Sequence, residues 1–289
     1  MKSAIRKSPI SASKCFKIEE IIAPHFDPNW HFHPEYQIAA VFEGTGTRFV
    51  GNDISHFKAG DTVLTGANLP HVWRSDEKYF EHMNLSTRVI VIYFSLDFMG
   101  EHFLGKDEMG NLNQLLAQAN RGLEIKGETK TKVRAIMKDM LHQQGFESVL
   151  SLLKILHLLS SSKELKFINK EGYINSVSTS DSKRMQMVHA YILDHYKSDI
   201  KIDDVAALAN LAPTSFSRYF KTRTNKTFSN FISELRISLA CKLLQNKDQS
   251  ILQIAHTCGY NTLSNFNRKF KDITGENPQK YRSRFRSIA

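Results

Sequence analysis

The chain has 289 residues, enough for about two domains of ordinary size, and its 41% hydrophobic and 24% charged content fit a globular protein with its own core. Its three cysteines, Cys15, Cys241 and Cys258, are odd in number and lack CxxC spacing, which argues against a disulfide framework or a thiolate zinc cluster and fits a reducing compartment. The formal charge of +10 is unevenly placed: residues 183–289 hold 18 Lys and Arg against 8 Asp and Glu, whereas residues 1–182 hold 21 of each kind.

That asymmetry predicts a basic module for nucleic acid joined to a neutral partner domain. The basic start (Met1, Lys2, Arg6, Lys7) runs into a polar stretch from Pro9 to Lys17 without the apolar centre of a secretion signal. No run of ~18 apolar residues follows, so a cytoplasmic protein with no membrane partner is expected.

From Ile18 to Phe98, short apolar runs alternate with turn signals. Strands are predicted at Tyr36–Phe42, Thr47–Val50, Thr62–Thr65 and Arg88–Ser95. They are broken by Glu43-Gly44-Thr45-Gly46, Gly51-Asn52-Asp53 and Ala59-Gly60-Asp61. Short strands at this spacing predict a small sandwich or barrel. His31 and His33 alternate onto one side of an extended segment, and His71 shares a side with Trp73.

From Asn111 the apolar period becomes helical. Leu112, Leu115, Leu116 and Ala119 mark a first helix, and Val133, Ile136, Met137, Met140 and Leu141 a second. Val149, Leu152, Leu153, Leu156 and Leu159 mark a third. The third is rich enough in leucine to serve either the core or a contact between two copies. Asn169–Ser182, rich in Ser, Asn and Asp, reads as a linker.

Downstream the chain repeats a plan. Asp203 and Asp204 open a helix at the positive end of its dipole, and Val205, Ala206, Leu208 and Ala209 supply its apolar face. Asn210-Leu211-Ala212 breaks it, and Pro213 starts a second helix with Phe216, Tyr219 and Phe220 inward and Asn225 at its end. In the second unit Ser250 caps a helix carrying Ile251, Ile254, Ala255 and Cys258, and Gly259 permits a tight turn. Thr262–Thr274 then carries Phe266 and Phe270 inward, and Gly275 ends it. Between the units lies a helix from Phe228 to Leu244 with an apolar stripe of Phe231, Leu235, Leu239, Leu243 and Leu244. Two small bundles on one rigid helix suit two recognition helices reading neighbouring major-groove turns about 34 Å apart.

The run Ser250-x3-Ile254-Ala255-x3-Gly259-Tyr260-x3-Ser264-x-Phe266-x-Arg268-x-Phe270-Lys271-x3-Gly275-x2-Pro278-x2-Tyr281-Arg282 resembles the signature of the AraC/XylS family of transcription regulators. The resemblance covers residues 184–289. It departs from the family at Asn210-Leu211, where glycine is more usual, and at Thr262 and Leu263. It implies a DNA-binding domain with two helix-turn-helix units, activation of transcription through RNA polymerase, and no enzymatic activity. Within it, Arg218 and Arg268 are placed to reach guanine edges or phosphates. Thr214, Ser215, Ser217, Ser264, Asn265 and Asn267 would hydrogen-bond bases or backbone, and Lys221, Lys271 and Arg282 would meet phosphate.

The stretch Trp30-His31-Phe32-His33-Pro34-Glu35-Tyr36-Gln37, with Gly44, Gly46, Gly60-Asp61 and Pro70-His71-Val72-Trp73, resembles the cupin-type sensor barrels that precede this module in the same family. That implies a small-molecule effector held by His31, His33, Gln37, Arg48, His71 and Trp73, with helices pairing two subunits. Metal-binding cupins surround one ion with such histidines and a glutamate. Here Gln37 takes the glutamate position, so no cofactor is expected, and a divalent metal on His31, His33 and His71 is the alternative.

The expected architecture is an α+β multidomain chain. A cupin-like β-barrel occupies 1–105, a helical dimerisation segment 106–168, a linker 169–183, and an all-α DNA-binding domain 184–289. The runner-up function is a metal-dependent cupin enzyme fused to a DNA-binding tail. An alkyl-accepting repair regulator is disfavoured because Cys15 stands alone in its half of the chain. Sequence-independent architectural binding is disfavoured by the Ser, Asn and Arg on the recognition helices.

Overall fold

A computed structural model of the chain describes residues 10–11, 13–81, 84–100, 102–173, 182–224, 226–245 and 249–286. Asn225 and residues 174–181 of the predicted linker lie outside the described residues. The chain divides into two compact units, an N-terminal one whose described residues end at Tyr173 and a C-terminal one described from Ser182 onward. Among the described residues no helix is long and apolar enough to cross a membrane.

The N-terminal unit is built on antiparallel strands. In chain order these are β1 (Phe16–Ala23), β2 (Tyr36–Glu43), β3 (Gly46–Val50), β4 (Asp53–Phe57), β5 (Thr62–Thr65) and β6 (His71–Ser75), then a short helix α1 (Lys78–Glu81) and β7 (Thr87–Phe94). Helices α2 (Gly110–Ala119), α3 (Gly127–Met140) and α4 (Gly145–Ser160) follow. Two further strands, β8 (Leu123–Ile125) and β9 (Leu165–Phe167), lie after α2 and after α4. One sheet has the order β1-β7-β2-β5-β8-β9 and the other β4-β3-β6.

Strands β2 and β7 read as unbroken apolar runs because both of their faces are buried. Ile38, Ala40, Ile90, Ile92 and Phe94 point to one side. There they form a core with Leu112, Leu115 and Leu116 of α2, Val133 and Met137 of α3, and Leu152, Ile155, Leu156 and Leu159 of α4. Ala39, Val41, Val89, Val91 and Tyr93 point to the other side and pack with Val50, Phe57 and Trp73 of the second sheet. The period-2 alternation of two strands thus sorts residues between a helix layer and a sandwich interior.

Two expectations change here. Residues 106–168 do not stand apart as a helical segment, because β8 pairs with β5 and completes the sheet with β9. The leucines at 152, 156 and 159 are spent on the chain's own core, while Phe146 and Leu150 on α4 are exposed. The predicted linker also begins too early. Asn169 is buried, its amide donating to the Val50 and Arg121 carbonyls at 3.0 Å while its oxygen accepts from the Asn52 N–H at 2.7 Å. A polar residue in a polar stretch is here a buried cross-link, which composition alone cannot distinguish from linker.

The C-terminal unit is helical: α5 (Ser182–His195), α6 (Ile202–Leu208), α7 (Pro213–Thr224), α8 (Phe228–Leu243), α9 (Ile251–Thr257), α10 (Leu263–Thr274) and α11 (Pro278–Arg286). Ser250 and Gln253 close a capping box at α9, and the Thr227 and Thr262 hydroxyls cap α8 and α10. Thr262 is therefore the cap of the second recognition helix rather than its first residue. Gly275 ends that helix in the left-handed conformation. The C-terminal half of α8 (Ile237, Ala240), with Leu244 just after it, shares a core with Ile254, Ala255, Phe266 and Phe270. Its N-terminal half sets Phe228 and Phe231 edge-on against Phe220. One helix serves as the wall of both small bundles.

Candidate functional site: a histidine-lined cavity and two exposed helix faces

The N-terminal unit encloses a cavity of about 450 Å³, within the range of small-molecule sites. Ile21, Phe26, Ala39, Val89 and Val91 give it apolar walls, and Asn29, His31, Gln37, His71, Trp73 and Tyr93 give it polar and aromatic ones. Of the six predicted effector residues, His31, Gln37, His71 and Trp73 line this cavity.

His31 and His71 are brought together by a reciprocal pair of backbone hydrogen bonds, His31 N–H donating to the His71 carbonyl at 3.2 Å and His71 N–H to His31 at 2.9 Å. Their rings lie 4.6 Å apart, and His33 stands 5.1 Å from His71. One ring nitrogen from each of the three lies within 4.8 Å of the other two, and all three residues are buried. Each Nδ1 meets a backbone carbonyl two residues away: Asn29 for His31 at 2.8 Å, Glu35 for His33 at 3.1 Å, and Leu69 for His71 at 2.7 Å. A carbonyl only accepts, so each Nδ1 carries the proton, and a neutral His31 or His71 ring then keeps its lone pair on Nε2. His33 differs, because its Nε2 faces the Gln37 carboxamide oxygen, also an acceptor, at 3.0 Å, while a Glu35 carboxylate oxygen lies 3.3 Å from its Nδ1.

Two predicted effector residues are placed otherwise. Arg48 is buried in an ion pair with Asp61 at 2.6 Å, and the second oxygen of Asp61 accepts from the Trp73 indole N–H at 3.1 Å. Arg48 therefore holds the group that positions Trp73 and does not line the cavity. His33 stacks edge-on against Tyr93 at 5.2 Å, behind the lining. The sequence does not pick out Tyr93 or Asn29, and it offers Asp61 only as part of a turn and of the barrel resemblance. Tyr93 was reachable, since it keeps phase with Val89 and Val91 along β7, whereas Asn29 sits in an irregular segment with no period to follow.

In the C-terminal unit the two recognition helices are copies in their exposure. Residues 213–221 and 263–271 share one burial pattern, position for position, with Phe216 and Phe220 matching Phe266 and Phe270 at 0% exposure. Thr214, Ser215, Ser217, Arg218 and Lys221 are exposed on α7, as are Ser264, Asn265, Asn267, Arg268 and Lys271 on α10. Arg268 is steadied by donating to the Asn265 side chain at 3.0 Å. Ser217 turns its hydroxyl back to the Pro213 carbonyl at 2.9 Å.

Residues 205–284 match a family described as "Helix-turn-helix domain". Most of the C-terminal unit is thus a helix-turn-helix domain. Over 258 residues the chain is 25% identical to the "HTH-type transcriptional activator RhaS" of Escherichia coli O81 (strain ED1a), covering 86% of this chain and 85% of that protein. Two solved structures are similar over part of the chain. The C-terminal domain of AraT, a response regulator from Geobacillus stearothermophilus, is 29% identical over 36% of this chain and 86% of that one, with a TM-score of 0.34. A transcriptional regulator with an AraC-type DNA-binding domain from Chromobacterium violaceum is 20% identical over 39% of this chain and 100% of that one, with a TM-score of 0.35.

Arg282, expected to meet phosphate, is half-buried and donates from one guanidinium nitrogen to the Gln249 carbonyl at 2.8 Å, tying α11 to the segment before α9.

Proposed function

We propose that this protein is a cytoplasmic transcription activator that binds double-stranded DNA as a homodimer, recruits RNA polymerase, and is controlled by a small molecule held in the N-terminal cavity. The observation that carries the DNA-binding part is the duplicated exposure pattern of α7 and α10 within a helix-turn-helix domain. Each helix keeps two phenylalanines for packing and leaves an arginine, a lysine and short polar side chains outward. Those outward groups suit base edges, through Arg218 and Arg268, and phosphates, through Lys221 and Lys271. The name of the RhaS relative supports activation. The cavity supports effector control, because its volume and mixed lining fit a small polar molecule. Such a molecule acts only if it prefers one state of the protein energetically.

The test is selection from random duplexes by the full-length protein beside Arg218→Ala and Arg268→Ala. Two enriched motifs about one helical turn apart, each relaxed by one substitution, are expected. Salt-sensitive binding without any enriched motif would refute sequence reading.

A further inference from the structure

We propose that Arg236 is a latch that sets the twist between the two recognition helices, and so decides the spacing of the two DNA motifs that the protein accepts. This deepens the reading of α7 and α10 as two readers and rests on it. A helix shared as a wall by two bundles fixes how far apart they lie along its axis. Rotation about that axis has to be set by contacts that lie off it. Arg236 on α8 supplies such a contact. Its Nε donates to the Tyr196 carbonyl and its Nη2 to the Ser198 carbonyl, both at 2.7 Å. These carbonyls stand just past the last turn of α5, at the negative end of the helix dipole, where a guanidinium fork suits them.

The same guanidinium reaches the second helix-turn-helix unit. It lies 5.6 Å over the Tyr260 ring, and Tyr260, itself buried, meets the Phe266 ring of α10 edge-on at 5.4 Å. Gly259, next to Tyr260 in the turn before α10, comes so close that an added Cβ would stand 2.4 Å from the Lys197 carbonyl oxygen and 3.1 Å from Arg236 Nε. At the far end of this chain of contacts α5 backs the first reader, with the Arg184 guanidinium 5.6 Å over the Tyr219 ring of α7. The turn of the second unit is thereby seated on the end of the helix that supports the first. One base pair more or less between two motifs turns the second groove by about 35°. A fixed twist between the readers is therefore expressed as a fixed motif spacing.

The test is selection from random duplexes by the full-length protein, wild type beside Arg236→Met and Arg236→Lys. Titration follows on selected duplexes that carry both motifs or have one of them scrambled. The wild type is expected to enrich the pair at one spacing. Arg236→Met should also accept spacings about one base pair longer and shorter, and lose about tenfold at the preferred one, because the readers are no longer pre-set. On single-motif duplexes it should stay within about twofold of the wild type, which a general loss of folded protein would not allow. Arg236→Lys keeps the charge but not the fork, so it should retain only part of the spacing preference. It decides the outcome if the methionine variant does not fold. Unchanged spacing preference in either folded variant, or a loss on single-motif duplexes as large as on paired ones, overturns the latch. A wild type that enriches no pair of motifs overturns instead the two-reader reading on which the latch stands.

Discussion

Gly259 and Asn210 meet the same geometric demand with different residues. Both follow the first helix of a helix-turn-helix unit and both have positive φ, +81° for Gly259 and +51° for Asn210. A Cβ on Gly259 would stand 2.4 Å from the Lys197 carbonyl oxygen, so this position tolerates no side chain. Asn210 tolerates the conformation because a short amide is the next best choice after glycine. Gly259→Ala is expected to cost about 2 kcal/mol or more in urea denaturation, whereas Asn210→Gly should be neutral or up to about 1 kcal/mol stabilising. The buried Arg48–Asp61 pair makes a second case at this scale. Arg48→Met strands a buried carboxylate and should destabilise the N-terminal unit by about 3 kcal/mol. It should also move the tryptophan emission, because Asp61 no longer holds the Trp73 indole.

Helices were more legible than strands, for a reason visible in α2 and α10. Leu112, Leu115, Leu116 and Ala119, or Phe266 and Phe270, repeat at helical spacing against polar neighbours, so one burial face can be read directly. Strand β6 was legible only in the shared side of His71 and Trp73, because His71 and Arg74 break up its apolar run. β8 and β9 were hidden because three residues show no period at all. The candidate site divides in the same way. The histidine cluster could be suspected from alternation, but the bridge that joins His31 to His71 across 40 residues is tertiary. Among the packing elements, Phe216→Ala and Phe266→Ala should each cost about 3–5 kcal/mol, since both rings are fully buried. Ser250→Ala removes one side of the capping box and should cost about 1 kcal/mol, measured by chemical denaturation.

For the molecule as a whole, acid should weaken the C-terminal unit through His189. Burial on α5 pushes its pKa down to about 3, with the ring edge-on to Phe231 at 5.4 Å. In the unfolded chain an ordinary imidazole takes up a proton near pH 6.5, so between these values the unfolded state binds more protons. The stability from the neutral ring is fully present above about pH 6.5 and is lost as the pH falls toward 3. Against His189→Leu, the wild type should lose about 2 kcal/mol more between pH 7 and pH 5 in urea titrations. The twin burial patterns of α7 and α10 carry a different consequence. Their exposed polar residues differ at Thr214 against Ser264, Ser215 against Asn265 and Ser217 against Asn267, beside Pro213 against Leu263 at the helix start and half-buried Tyr219 against Lys269, while Arg218 and Lys221 match Arg268 and Lys271. A pair of unlike readers spells an address of two different words. Thr214→Ser, Ser215→Asn and Ser217→Asn together leave every buried residue untouched, so the triple variant should fold as before and draw the first word toward the second in selection from random duplexes.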